Sequence, residues 1–517
     1  MPQAESQLFP NRALIVDLPG PDLDPASADL LREYGFGGVC LFARNVSTPE
    51  RTARLVSDIR SILGPDALIG IDQEGGAVLR RLDVPMPPAP MGLSAALLGL
   101  SEDEQRTQAF LAGAIAARGL LELGINWNYA PDLDVNVNPL NPVIGERSFG
   151  ADPQVVARLG VAWAQGSEAA GVLSAVKHFP GHGDTFQDSH LTLPTVAKSR
   201  SELEATEWLP FHAAVNAGVG SIMTAHIIYP ALDSERPATL SAAVLTGLLR
   251  DEWSYDGVVV TDATDMKAIR DHYPNGQAGP LALIAGADAA LSCGHGDDTT
   301  HREHAAAMQR AVASGDLSEA RLGQALARLQ RAAQRFPGTP RPYTDAQKQA
   351  DQAQVEAWGR ASITRTGTVE ALDPAEPVLL LVSQGAGAGG PYGEFLSGAA
   401  LTTALQRALP HLQMALLPVN DTLPALKLLG EFPNAPVLLA TTDRWSIPPT
   451  YRELTPLLQT RRTIQLALWN PYQALELPFP ALISYGFRRG NLDALSHALI
   501  SGEAPGHLPF QVLQEQA

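Results

Sequence analysis

The sequence predicts an α/β protein: a (β/α)8 TIM-like barrel followed by a smaller α/β/α sandwich domain. Three observations carry that expectation. Short β-type apolar runs recur between residues 13 and 291, with amphipathic helical stretches between several of them. Polar residues able to do chemistry follow the carboxyl ends of five of these runs. Beyond the breaker Phe336-Pro-Gly-Thr-Pro-Arg-Pro342, a second set of alternating strand and helix patterns begins.

The first set of runs covers residues 13–17, 38–42, 67–71, 125–129, 172–176, 221–225, 257–261 and 287–291. Near-continuous apolar strands fit a parallel sheet covered on both faces. Helical patterns occupy 49–63, 104–124 and 153–171, and the Ala- and Arg-rich stretch 302–334 is expected to close the barrel. A doubly wound open sheet has the same alternation. The polar positions favour the barrel, whose one functional face collects side chains from the ends of several strands. The expected division is a barrel over 1–336, a linker and connecting helix over 337–362, and a second domain over 363–517. In the second domain, strands are expected at 378–382, 414–418, 437–441, 464–469 and 481–485, with helices at 399–408 and 492–501.

The densest chemistry is Lys177-His-Phe-Pro-Gly-His-Gly-Asp-Thr-Phe-Gln-Asp-Ser-His190, directly after the fifth run. Three histidines, two aspartates and a lysine share those 14 residues. Asp188 and His190 lie two apart, so in an extended segment their side chains point the same way. Asp188 can then orient His190 and favour its protonated form. Asp262 closes Gly257-Val-Val-Val-Thr-Asp262 at the tip of the seventh run, where a carboxylate can be held rigidly. Two readings of Asp262 stay open on spacing alone, a nucleophile and a helix N-cap. Asp265 is the weaker candidate, at the start of the following helix.

A carboxylate facing a His–Asp acid/base would suit two-step displacement at an acetal carbon, with a histidine where the second carboxylate usually stands. Lys177 and His178 at the end of the fifth run can hydrogen-bond sugar hydroxyls. Asp72, Arg80 and Arg147 supply further directional groups, although each taken alone reads equally as a structural salt bridge. Asp17, Asp83, Asp134 and Asp288 read as structural. The competing chemistry is a metal site from His178, His182, Asp184, Asp188 and His190. No zinc-helix spacing is present, and the flanking glycines indicate a loop.

Composition narrows the partners. A net charge of −18 argues against nucleic acid or an anionic membrane as the main partner. No apolar run approaches the roughly 18–20 residues of a membrane span. Met1-Pro-Gln-Ala-Glu-Ser lacks the basic start and apolar core of a signal peptide, so a cytoplasmic location is expected. Cys40 and Cys293 share no metal or redox spacing. The Gly385-Ala-Gly-Ala-Gly-Gly390 run has no Gly-Lys-Ser/Thr and reads as a loop.

With these residues in view, the sequence resembles family 3 glycoside hydrolases, in the β-N-acetylglucosaminidase (β-N-acetylhexosaminidase) branch. The matching motifs are Ile71-Asp-Gln-Glu-Gly-Gly76, Asn138-Pro-Leu-Asn-Pro-Val-Ile-Gly-Glu-Arg-Ser-Phe-Gly150, Lys177 through His190 with Leu191-Thr-Leu-Pro194, Ala238-Thr-Leu-Ser241 and Thr261-Asp-Ala-Thr-Asp-Met266. Asn470-Pro-Tyr472, Ser484-Tyr-Gly486 and residues 502–509 resemble the second domain of longer members. The resemblance implies that Asp262 is the nucleophile and that His190, paired with Asp188, is the general acid/base. It also implies that Asp72, Arg80, Arg147, Lys177 and His178 hold the terminal N-acetylglucosamine, with no metal or other cofactor. The partner it implies is a small β-linked carbohydrate such as a cell-wall muropeptide, as in peptidoglycan recycling, or a chitin fragment. Some relatives transfer the sugar to phosphate instead of water. One departure is visible: the residue after Gly76, often Arg in this branch, is Ala77.

Overall fold

In the computed structural model, residues 9–81, 83–186, 193–383, 396–418, 420–441 and 447–510 are described. Asp188, His190 and the glycine run 385–390 lie outside them.

Eight parallel strands close into a barrel: β1 (Leu14–Val16), β2 (Gly38–Leu41), β3 (Leu68–Ile71), β4 (Trp127–Asn128), β5 (Leu173–Phe179), β6 (Ser221–Thr224), β7 (Val258–Ala263) and β8 (Ala289–Ser292). Pairing of Leu14 with Ala290 and of Val16 with Ser292 closes the ring. Alternate side chains of a strand face opposite ways, so each strand divides its apolar residues between two clusters. Ile15, Cys40, Leu68, Trp127, Leu173, Met223, Val258 and Ala289, one from each strand, fill the interior. Leu14, Val16, Val39, Leu41, Ile69 and Ile71 pack outward against the helices.

All eight expected strands are present with shifted ends. β4 is only two residues long, and side-chain amides add to its pairing: Ile69 N of β3 donates to Asn126 Oδ1 (2.7 Å), and Gln73 N, just past β3, to Asn128 Oδ1 (3.0 Å). The helical stretch expected over 302–334 consists of two helices, Asp298–Ser314 and Glu319–Arg335, separated at Gly315 in a left-handed conformation (φ 82°).

The helix Asp345–Ser362 crosses to a six-stranded sheet. Its strands are β9 (Thr364–Thr366), β10 (Val378–Ser383), β11 (Leu412–Leu417), β12 (Val437–Thr441), β13 (Thr463–Ala467) and β14 (Ala481–Ile483). Their order is β11-β10-β12-β13-β14-β9, with β10–β14 parallel and β9 antiparallel at the edge. Alternation again shows two covered faces: Val378, Leu380 and Val382 pack toward one helical layer, Leu379 and Leu381 toward the other.

The two sheets are joined by an apolar seam. Met91 and Ala95 of the helix Pro90–Leu97 pack with Tyr472, Ile483, Tyr485 and Phe510 of the second domain. No helix among the described residues is long and apolar enough to cross a membrane.

Candidate active site

Strand parity builds the site. Leu68 and Gly70 precede Asp72 in steps of two, Ala175 precedes Lys177, and Val260 precedes Asp262. The inner-facing rows of β3, β5 and β7 therefore carry these polar residues to the carboxyl-end mouth of the barrel. There Asp72, Arg80, Arg147, Lys177, His178 and Asp262 line one cavity of about 440 Å³. That size is within the usual range for small-molecule sites. Six of the eight residues singled out from the sequence thus share one space; the other two, Asp188 and His190, fall outside the described residues. His182, from the same histidine-rich loop, also lines the cavity.

The charged lining is a connected network. Lys177 Nζ donates to Asp72 Oδ1 (2.8 Å) and reaches Glu74 Oε1 (2.6 Å). Arg147 forks onto the same carboxylate, Nε to Glu74 Oε2 (2.8 Å) and Nη2 to Oε1 (2.9 Å). Arg80 Nη2 stands 3.5 Å from Asp72 Oδ2. Burial alone would raise the Glu74 carboxyl, but Arg147 and Lys177 outweigh it and hold the group well below the usual carboxylate range. Burial would lower Lys177, and Asp72 with Glu74 reverses that, keeping the ammonium charged. Arg147 and Lys177 thus make the salt bridges that the sequence allowed and also line the cavity.

His178 is set by a second layer. Its Nδ1 lies 2.7 Å from Asp134 Oδ2, and Asp134 Oδ1 accepts from the main-chain N–H of His178 (3.2 Å) and of His182 (2.5 Å). Burial pushes the imidazole down to about 4, so it is neutral near pH 7. With Nδ1–H given to Asp134, Nε2 is left as an acceptor. Asp134, read as structural, holds the histidine loop in shape. Burial raises Asp134 to about 6, and burial with repulsion from Asp134 raises Asp132 well above its ordinary value.

Asp262 Oδ1 accepts from Ala263 N (2.7 Å), and His226 Nε2 donates to the Ala263 carbonyl (2.9 Å), bracing the end of β7. The next helix starts only at Lys267, with Met266 at its N-cap position. Asp262 is therefore not that helix's cap. Asp265 does line the cavity; burial pushes it up to about 6, and His295 Nε2 stands 3.9 Å away.

As for metal ligands, among the described residues Asp132, Asp134 and His178 place ligand atoms within 4.8 Å of one another. Asp184, a member of the metal reading, pairs instead with Lys198 (3.1 Å). Cys40 and Cys293 are both free thiols and line the cavity. Glu74 is the site residue sequence reasoning missed. Its signal was parity with Asp72, two positions before it.

Behind Arg147, Glu146 is buried against the second domain, where it accepts from Trp469 Nε1 (2.8 Å). Burial pushes its carboxyl up to about 8 from an ordinary 4.5. Between those values the folded chain keeps a proton that the unfolded chain has lost, so wild-type stability declines as pH rises through that window. Glu146→Gln removes this dependence. The melting temperature of the variant should gain on wild type progressively from about pH 4.5 to about pH 8, read by calorimetry across that range.

Residues 15–332 match the model of the glycosyl hydrolase family 3 N-terminal domain. The chain belongs to glycosyl hydrolase family 3. Among its relatives, beta-hexosaminidase A of Pseudoalteromonas piscicida is 38% identical over 337 residues, 61% of this chain and 56% of that protein. This chain thus spans little more than half of that relative's length. A solved family 3 beta-N-acetylglucosaminidase from Paenibacillus sp. str. FPU-7 superposes with a TM-score of 0.88 at 31% identity, covering 98% of this chain and 99% of that one. The beta-glucoside phosphorylase BglX shares the fold (TM-score 0.80) at 21% identity over 98% of this chain and 94% of that one.

Proposed function

We propose that this glycoside hydrolase is a retaining exo-β-N-acetylglucosaminidase that removes a terminal N-acetylglucosamine from β-linked glycosides. The observation that carries the proposal is that Asp262 and a set of hydrogen-bond donors and acceptors open onto one cavity. A pyranose presents neighbouring hydroxyls, each able both to donate and to accept. Asp72 accepts, Arg80, Arg147 and Lys177 donate, and His178 Nε2 accepts. Arg147 and Lys177 are held in place by Glu74 before the sugar arrives, so little ordering is required on binding. The cavity ends on the packed barrel interior, with Cys40, Met223, Leu291 and Cys293 among its lining. A blind pocket of this kind takes a chain end, not the middle of a chain.

Chemistry then follows in two displacements. Asp262 attacks the anomeric carbon while His190, oriented by Asp188, protonates the leaving oxygen. His190 next takes a proton from water, which releases the sugar with its original anomeric configuration. The first product seen by time-resolved NMR should be β-N-acetylglucosamine; first-formed α-anomer would contradict the mechanism. His190→Ala should lower kcat by about 10²–10⁴, the usual contribution of a general acid/base. Adding phosphate decides the acceptor: a sugar 1-phosphate product would make the enzyme a phosphorylase using the same residues. A chelator should leave the rate unchanged. The natural substrates that fit this reading are muropeptides or chitin fragments, handled in the cytoplasm.

A further inference from the structure

We propose that Trp469 of the second domain is a positioning residue of the sugar site, fixing Arg147 through Glu146. The inference rests on the reading of Arg147 as a sugar contact. Residues 145–147 form a single 3-10 turn. Successive side chains of a 3-10 helix are about 120° apart, so neighbours on it reach different surroundings. Arg147 reaches the cavity and forks onto Glu74, while Glu146 turns back into the seam between the domains. Trp469 follows β13, is 2% exposed, and is packed edge-on against Phe487 with ring centroids 5.1 Å apart. Its indole N–H therefore comes from a rigid mount.

A second strut reaches the same turn. Tyr472 accepts from Asn136 Nδ2 (2.8 Å) and donates to the Asn136 carbonyl (3.1 Å). Asn136 Oδ1 in turn accepts from Gly145 N (3.3 Å). Two adjacent second-domain side chains thus hold the first two residues of the turn whose third is Arg147.

The other sugar-contact loop meets the same surface. Ala77 and Val78, between Asp72 and Arg80, belong to one apolar cluster with Trp469 and Phe487. Ala77 is 5% exposed there, so a charged side chain at that position would be buried in this seam. The departure at Ala77 is thus matched to the packing of the second domain. The described residues of the domain work on the site without lining the cavity: they brace the two loops that do.

The variant W469F keeps an aromatic ring in the seam, though a smaller one, and removes the N–H, so Glu146 loses its donor; a thermal melt checks that the fold is kept. Hydrogen–deuterium exchange should quicken in peptides spanning 72–81 and 136–147, with the other barrel strands unchanged. On an aryl β-N-acetylglucosaminide, kcat/KM should fall about tenfold, the scale of one lost buried hydrogen bond. The variant E146L should show a similar loss. Combining W469F with E146L should cost no more than either alone, because both act along one path. Losses that multiply in the double variant, or W469F with unchanged exchange and kcat/KM, would overturn the proposal. The two readings separate cleanly. Quickened exchange at 136–147 in a protein whose wild type cleaves no such glycoside would uphold the positioning and sink the activity.

Discussion

Asp262→Ala is expected to abolish turnover of an aryl β-N-acetylglucosaminide, with kcat reduced by on the order of 10⁴ or more, as for loss of other catalytic nucleophiles. The size follows from the role. Without a carboxylate at the tip of β7, no covalent intermediate forms and water must attack unaided. Stability should change little, because β7 is held by Val258, Val259 and Val260, all buried, and by the bond from His226 to Ala263. Asp262→Asn, which keeps the shape and removes the charge, should be nearly as inactive. A structural aspartate would behave in the opposite way, with Asn largely restoring rate and Ala lowering the melting temperature. Steady-state kinetics and thermal melts on the two variants check this together.

The second large effect is expected at Glu74. Its carboxylate is fully buried and is the shared counter-charge of Arg147 and Lys177, themselves 4% and 3% exposed. Glu74→Gln keeps the volume and leaves two neighbouring cations short of one negative charge. Breaking a buried pair in this way costs about 3–5 kcal/mol. The same variant should raise KM by about 10² or more, since both cations then lose the shared carboxylate that helps fix their sugar-facing positions. Denaturant unfolding and kinetics check the two halves. Wild-type stability with wild-type KM would show that Glu74 does not organise the site.

These two residues also show what was legible in the sequence. Asp262 stood out because it ends a run of valines. A polar residue at the tip of a buried strand is visible in one dimension. The eight barrel strands were legible for the same reason, being buried on both faces and hence apolar throughout. Glu74 was not, because its importance comes from Arg147 and Lys177, which reach it from 73 and about 100 residues away. β9 was missed because Thr364-Arg-Thr366 is a three-residue antiparallel edge whose alternation is too short to register. The closing helices were legible as a helical stretch over 302–334, but the point where one stops is blurred by continuous Ala and Arg composition, with only Gly315 to mark it. The motif residues at 470–472 resembled a second-domain signature, but the contact of Tyr472 to Asn136, like that of the preceding Trp469 to Glu146, appears only once the two domains are packed.

The proposed covalent bond between the sugar and Asp262 is open to trapping. A mechanism-based 5-fluoro-N-acetylglucosaminyl fluoride forms the glycosyl-enzyme and slows its release. Intact-mass measurement should show one sugar added per chain, and peptide mapping should place it on Asp262. A label on any other side chain, or rapid turnover of the reagent to an inverted product with no adduct, would contradict the mechanism.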